Sequence, residues 1–331
     1  MTPEPPAAAE APLLQVRDLS VSYGTRHHGR RVRVRALAGV SFELDSGQTL
    51  GVVGESGSGK STLARALLRL IGVDGGRILW RGADLLGLRG HELLVVRGRL
   101  QMIFQDGLAA LDPRQRIGAA LEEPLLVLRP SLTSMQRRER VLAMLDRVGL
   151  EPAHLARYPH EFSGGQAQRI GIARALLPAP ELVVCDEPLS SLDLATKAQI
   201  TALLQQLQRE LKLALLLIAH DLPAVQKLCE RVLVLYLGRV MELAPRESLF
   251  RAPRHPYTRA LLQAVPIADP QRARARAPAP ILGDMPSSLT PPSGCVFRTR
   301  CPHGIARCAA EVPALRRLGD SEVACHRAGE I

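Results

Sequence analysis

Aromatic side chains are scarce in this chain: they make up 3% of its 331 residues, with a single Trp. That argues against a single-strand nucleic-acid platform, which stacks bases on rings. Lysine is scarcer still among the basic residues, with Lys60, Lys197, Lys212 and Lys227 the only four of 43. Long apolar runs are also missing. The longest uninterrupted one is Leu213 to Ala219, whereas a membrane-spanning helix needs about 20 residues. Met1 to Pro12 is acidic and rich in Pro and Ala, without the basic start and apolar run of a secretory signal. These absences predict an intracellular protein, soluble by itself. In that compartment the six Cys are expected as thiols or metal ligands rather than disulfides.

What the chain does have is a core and a charge. Apolar residues are 46% and charged residues 23%, an ordinary globular balance that excludes wholesale disorder. The length suits one large domain with an appendage, at about 100–200 residues per domain. The net charge of +11 fits either a solvated, Arg-rich face or an anionic partner such as a nucleotide, a nucleic acid or a membrane surface. Composition does not choose among them.

Short buried runs alternate with helical stretches. Thr49-Leu-Gly-Val-Val-Gly54 reads as a strand, followed by a helix from Lys60 to Leu70. Leu182 to Asp186 and Leu213 to Ala219 read as buried strands. Ile200, Leu203, Leu204, Leu207 and Leu211 lie between them at helical spacing. Strands alternating with helices predict a mainly parallel sheet covered on both faces. The strand pattern that starts at Leu13 is interrupted by a basic segment, Thr25 to Arg35. Between Phe104 and Arg174 no buried strand is evident, and helical segments at Met135–Val148 and Gly165–Leu177 read as an inserted helical subdomain. Val265 to Pro292 reads as a Pro/Ala/Arg-rich linker.

Two segments carry chemistry. Gly54-Glu55-Ser56-Gly57-Ser58-Gly59-Lys60-Ser61-Thr62 matches G-x-x-x-x-G-K-[ST] in full. Its glycines let backbone N–H groups approach phosphate oxygens, and the following helix aims its unpaired N–H groups at the same anion. Lys60 is expected to reach the β- and γ-phosphates, and Ser61 to ligate Mg²⁺. At the end of the Leu182 strand, Asp186 is expected on the Mg²⁺ side and Glu187 as general base or water-orienting group.

Phe162-Ser163-Gly164-Gly165-Gln166, followed by Gln168-Arg169 and Ala173-Arg174-Ala175-Leu176, resembles the signature motif of ABC ATPases, with Phe in place of the commoner Leu. The resemblance covers about residues 13–265. It implies an α/β P-loop NTPase with a RecA-like core, a helical subdomain at about 105–175 and a small Cys-containing C-terminal extension. Residues 1–12 would be a flexible tail, 13–265 the ATPase domain and 266–331 a linker plus Cys region. The resemblance implies that Ser163, Gly164, Gly165 and Gln166 cap the γ-phosphate held by another subunit. Tyr23 would stack on adenine, and Gln105 would sense Mg²⁺ and the attacking water. Asp193, in Ser190-Ser191-Leu192-Asp193, would couple two ATP sites, and His220 would contact the γ-phosphate. Ser191 stands where Ala is commoner.

Leu111-Asp112-Pro113-Arg114, His255-Pro-Tyr-Thr-Arg-Ala-Leu-Leu262 and the tail from Gly294 to His326 are similar to the dipeptide/oligopeptide importer ATPases. This implies an ATP- and Mg²⁺-dependent subunit that powers peptide import. Its partners would be a second ATPase, a paralogue, two transmembrane permease subunits and, indirectly, a solute-binding protein, with no nucleic acid expected. Its place would be peripheral, on the cytoplasmic face of the inner (plasma) membrane. The same engine could serve nickel or another small solute. A soluble ABC ATPase acting on DNA or ribosomes is the reading from another class, disfavoured by a single cassette without a heptad run. Cys295, Cys301, Cys308 and Cys325 lack the C-x2-C pairing of zinc ribbons. They leave three readings open: a [4Fe–4S] cluster, unliganded thiols, and zinc or a disulfide.

Overall fold

The computed structural model describes residues 11–27, 30–107, 111–264 and 283–331. The tail expected at 1–12 lies outside them save for its last two residues, as does the expected linker up to residue 282. The elements run β1 (Leu14–His27), β2 (Arg30–Leu44), β3 (Thr49–Val53), α1 (Lys60–Leu67), β4 (Gly75–Trp80), β5 (Ala83–Asp84), α2 (Gly90–Arg99) and β6 (Leu100–Ile103). Then follow α3 (Ile117–Leu128), α4 (Ser134–Arg147), α5 (Gly164–Leu176), β7 (Leu182–Asp186), α6 (Leu194–Leu211), β8 (Ala214–Ile218) and α7 (Leu222–Leu228). The chain ends with β9 (Arg231–Tyr236), β10 (Arg239–Pro245), α8 (Arg246–Arg251), α9 (Pro256–Gln263), α10 (Ala306–Ala310), β11 (Arg316–Leu318) and β12 (Ser321–Val323).

The central sheet has the order β11-β12-β10-β9-β3-β8-β7-β6. β9, β3, β8, β7 and β6 pair in parallel, and β3, β7 and β8 are buried at every position. The strand alternation of period two sorts their side chains into two cores. Leu50, Val52, Val184, Leu216 and Leu235 face α1 and a second, antiparallel sheet of order β2-β1-β4-β5. Val53, Val183, Leu215, Leu217 and Val234 face α5, α6 and α7. The phosphate loop leaves the end of β3, which lies between β9 and β8.

Within the basic interruption expected at Thr25–Arg35, the described residues 25–27 and 30–35 are strand. Thr25 pairs with Val32 and His27 with Arg30. Arg31, Arg33 and Arg35 face solvent and alternate with the half-buried Val32 and Val34, so the charges are one face of a hairpin. Helix α1 stops at Leu67, three residues short of the expected end. Arg69 takes φ 51°, its N–H donates to Ala66 O, and Leu70 N–H donates to Arg65 O. This is a Schellman closure with a non-glycine residue in the left-handed position.

The helical region holds one helix that was not expected, α3, because Pro124 lies inside it. Proline removes the hydrogen bond that would end on Ala120 O. Arg174 from α5 supplies the missing donor, its Nε giving to Ala120 O at 3.2 Å while Nη2 pairs with Glu123 at 2.7 Å. No strand lies between β6 and β7 among the described residues.

From Cys295 on the chain contributes to the core, through the buried Cys295, Val296, Phe297, Cys308, Val323 and Ala324. β12 adds antiparallel to β10, with Glu242 opposite Val323 and Leu243 opposite Glu322. Of one Trp, four Tyr and five Phe, two Tyr and one Phe meet at this junction. The ring centroid of Tyr236 is 4.7 Å from that of Tyr257 and 5.4 Å from that of Phe297. All three are buried to within 1%, and such aromatic pairs each add about 0.5–1.5 kcal/mol beyond area burial.

Candidate active site

The phosphate loop is shaped by close backbone approach. A Cβ on Gly54 would stand 2.1 Å from Leu235 O, and one on Gly59 would stand 2.5 Å from Ala36 O. Gly59 also has φ 107° and begins α1 with no side-chain cap. The first amides of that helix therefore carry no competing side-chain acceptor and are available to an anion. Lys60 is buried, and its Nζ donates to Gly54 O at 2.8 Å and Glu55 O at 2.9 Å. Burial pushes its pKa down, and the charges of Glu187, Asp186 and Glu55 oppose that shift.

Ser61 Oγ donates to Asp186 Oδ1 at 3.0 Å. Asp186 ends β7 and is buried, which pushes its carboxyl up; the Ser61 hydrogen bond works against that. A hydroxyl and a carboxylate at this distance beside a phosphate cradle are the oxygen donors that suit Mg²⁺. Glu187 follows with φ 49°, an uncommon conformation for a residue with a side chain. Its N–H is tied to Ile218 O at 2.9 Å. Its Oε2 lies 3.3 Å from Nδ1 of the exposed His220. Ser56, Gly57, Gly59, Lys60, Ser61, Thr62 and Glu187 line one cavity. Tyr23 stands at its edge, exposed, with its hydroxyl 3.4 Å from Thr62 Oγ1.

The structure thus brings most of the predicted residues together. Gly54 and Ser58 are buried within the loop, and Gln105 follows β6, where Ile103 pairs with Cys185 next to Asp186. Ser163, Gly164, Gly165 and Gln166 do not line the cavity. Ser163 caps α5: its Oγ accepts from Gln166 N–H, and its own N–H donates to Gln166 Oε1 at 3.1 Å. Asp193 caps α6, accepting from Thr196 N–H at 3.0 Å. The two caps adjoin, since a Cβ on Gly165 would stand 2.7 Å from Thr196 Cγ2. Ser163, Gly164 and Asp193 are exposed, so this second helix start faces outward.

Sequence reasoning missed a group of residues behind the loop. Tyr257 Oη accepts from Glu55 N–H at 2.9 Å. Arg300 Nη1 lies 3.0 Å from each Glu55 carboxylate oxygen and 3.2 Å from Tyr236 Oη. His255 is buried, accepts from Tyr257 N–H at 3.0 Å and bonds to the Ala324 backbone; burial drops its pKa from 6.5 to about 3. Glu242, fully buried, accepts from the N–H groups of Arg254 and His255. The signal was there in His255-Pro-Tyr-Thr and Arg300-Cys-Pro. It had weight only as resemblance, because nothing local ties those segments to residue 55.

Cys295 and Cys308 are buried, and Cys301 and Cys325 are half-buried. Burial raises the pKa of Cys301 and Cys325 and takes that of Cys295 to about 11, so these are protonated thiols. Among the described residues no three of His, Cys, Asp or Glu are placed to hold a metal ion.

A parallel sheet whose G-x-x-x-x-G-K-S loop shares a cavity with Glu187, and whose Ser61 bonds to Asp186, defines a P-loop nucleoside triphosphatase. Residues 37–190 match the ABC transporter family, and residues 241–308 match the C-terminal region of oligopeptide/dipeptide transporters. The chain is 49% identical over 319 residues to the oligopeptide transport ATP-binding protein OppF of Salmonella typhimurium, covering 95% of each. It is 48% identical to the Escherichia coli OppF with the same coverage. Among solved structures it resembles the ATP-binding cassette MJ0796, a dimer in a post-hydrolysis state bound to ADP and Pi. The TM-score is 0.63 at 27% identity, over 70% of this chain and 98% of that one. The chain belongs to the ABC transporter ATP-binding proteins, in their oligopeptide/dipeptide branch.

Proposed function

We propose that this chain is the ATP-hydrolysing subunit of an importer of dipeptides or oligopeptides. The observation that carries it is one cavity lined by the phosphate loop and Glu187, with Ser61 on its wall hydrogen-bonded to Asp186. Backbone amides from Gly57 to Thr62 and the Lys60 ammonium hold the β- and γ-phosphates. Ser61, Asp186 and Gln105 would hold Mg²⁺, which would supply neutralising charge to those phosphates. Glu187 accepts a proton from, or orients, the water that attacks the γ-phosphorus, and His220 steadies its carboxylate and reaches the γ-phosphate. Tyr23 lends its ring to the adenine.

The outward-facing Ser163–Gln166 segment and Asp193 serve a nucleotide on a second ATPase, a paralogue of this chain. ATP bridges the two halves only when they are closed, so binding favours closure, and loss of the γ-phosphate reopens the pair. The motion passes to two permease subunits, which receive cargo from a solute-binding protein. A groove beside Gln105 supports this docking, lined by the exposed Leu70, Leu94, Phe104 and Val127. Among the described residues no helix is long and apolar enough to cross a membrane. The subunit then sits peripherally, on the cytoplasmic face of the inner membrane. A [4Fe–4S] cluster on Cys295, Cys301, Cys308 and Cys325 would require those thiols to deprotonate.

The test is phosphate release by the full chain with its transporter partners. Peptide-stimulated, Mg²⁺-dependent ATP hydrolysis is expected; no hydrolysis in the complete complex would overturn the assignment.

A further inference from the structure

The C-terminal region reaches the ATP site at Glu55, the first variable position of the phosphate loop. A carboxylate there is an electrostatic fault, because it places negative charge in a cradle built for phosphates. Arg300 from the tail answers it, alongside two tyrosines of the cassette, Tyr236 and Tyr257. Arg300 Nη1 lies 3.0 Å from both carboxylate oxygens, and its side chain is only 7% exposed. Tyr236 Oη, 3.2 Å from the same nitrogen, fixes the guanidinium from behind. Tyr257 Oη takes the Glu55 N–H at 2.9 Å, which holds the loop backbone. Arg300 is itself set by a turn in which its N–H donates to Phe297 O, and Phe297 packs on both tyrosines. The chain from 283 onward adds a wall: Ser288 lines the nucleotide cavity, and Met285 Sδ stands 3.9 Å from where a Gly57 Cβ would be.

We propose that Arg300, with Tyr257 and Tyr236, is a positioning residue for ATP binding, neutralising Glu55 and holding the phosphate loop so that the C-terminal region sets the nucleotide affinity. Arg300 touches no nucleotide; it acts through Glu55. The proposal rests on the ATPase assignment above. It also gives the two motifs a shared task, since His255-Pro-Tyr-Thr supplies Tyr257 and Arg300-Cys-Pro supplies the cation.

The test is equilibrium binding of a fluorescent ATP analogue to the full chain, with ATPase kinetics alongside. Arg300→Ala should weaken binding about tenfold, since it strands a part-buried carboxylate beside the phosphates. KM for ATP should rise while kcat at saturation changes little. Adding Glu55→Gln to Arg300→Ala should recover most of the lost affinity, because it removes the charge that Arg300 answers. Arg300→Lys should fall between wild type and Arg300→Ala, keeping charge without the fork. Wild-type affinity in Arg300→Ala would overturn the proposal. So would a double variant as weak as the single one, which is the result of mere misfolding. A wild-type chain that bound no analogue would overturn the ATPase assignment instead.

Discussion

His220 Nδ1 lies 3.3 Å from Glu187 Oε2, and the two residues follow the ends of neighbouring parallel strands, β8 and β7. Glu187 holds its place in a left-handed conformation, a strain of about 1–3 kcal/mol of the kind that collects at functional sites. Glu187→Gln should lower kcat by about 10²–10⁴-fold, the usual worth of a positioned base. ATP binding should survive, and with hydrolysis blocked the ATP-bound pair of subunits should accumulate. Phosphate release, equilibrium binding and size-exclusion chromatography check the three parts. Turnover near the wild-type rate would remove Glu187 from the base role.

Asp186 should show activity and stability moving in opposite directions. Its carboxyl is pushed up by burial, so the charged form costs folding energy at neutral pH. Asp186→Asn removes that cost and should leave the unfolding midpoint unchanged or higher. The Mg²⁺ concentration for half-maximal ATPase should meanwhile rise by about 10–100-fold, as for the loss of groups that hold or orient a metal. A magnesium titration and a thermal melt on the same sample separate the two effects.

The His255 site predicts an acid limb to stability. In the unfolded chain its pKa returns to the ordinary 6.5, against about 3 in the fold. Between those values the unfolded state binds more protons, so stability is lost as the pH falls from 6.5 toward 3. Glu242, pushed up by burial, works the other way as its carboxyl takes a proton. His255→Gln can still accept from Tyr257 N–H and donate to Ala324 O without titrating. Urea midpoints measured from pH 7 to pH 4 should fall less steeply in this variant than in wild type.

Thiol labelling should divide the cysteines by place. Burial takes Cys185 to about 12 and Cys229 higher still, and a protonated, inaccessible thiol is inert. In native, metal-free protein, maleimide should modify the half-buried Cys301 and Cys325 first. Cys185 and Cys229 should react only after denaturation. Peptide mass spectrometry reads the order directly, and early labelling of Cys229 would contradict the packing of α7 on β3.

The ATP cavity was legible in the sequence because its parts are local. Gly54 to Thr62 is one loop, and Asp186 and Glu187 are neighbours at the end of an apolar strand. Helix α4 was legible from its periodicity for the same reason. What stayed hidden depends on partners far along the chain. Arg300 and Glu55 are 245 residues apart, and Pro124 is tolerated in α3 only because Arg174, on another helix, answers the orphaned Ala120 carbonyl. The hairpin through Arg31, Arg33 and Arg35 was masked by charge density, although its alternation with Val32 and Val34 has the period of a strand.

The pairing of β12 with β10 bears on how the cassette avoids self-association. Without it, β10 would be the last strand of a long sheet, with a row of backbone donors and acceptors open to any other strand. The tail replaces that edge with β11, three residues long and carrying the exposed Arg316 and Arg317. Short length and like charge are poor templates for further pairing. A chain cut after Ala264 would trade this blunted rim for a sticky one, and it should aggregate at concentrations where the full-length protein stays dispersed.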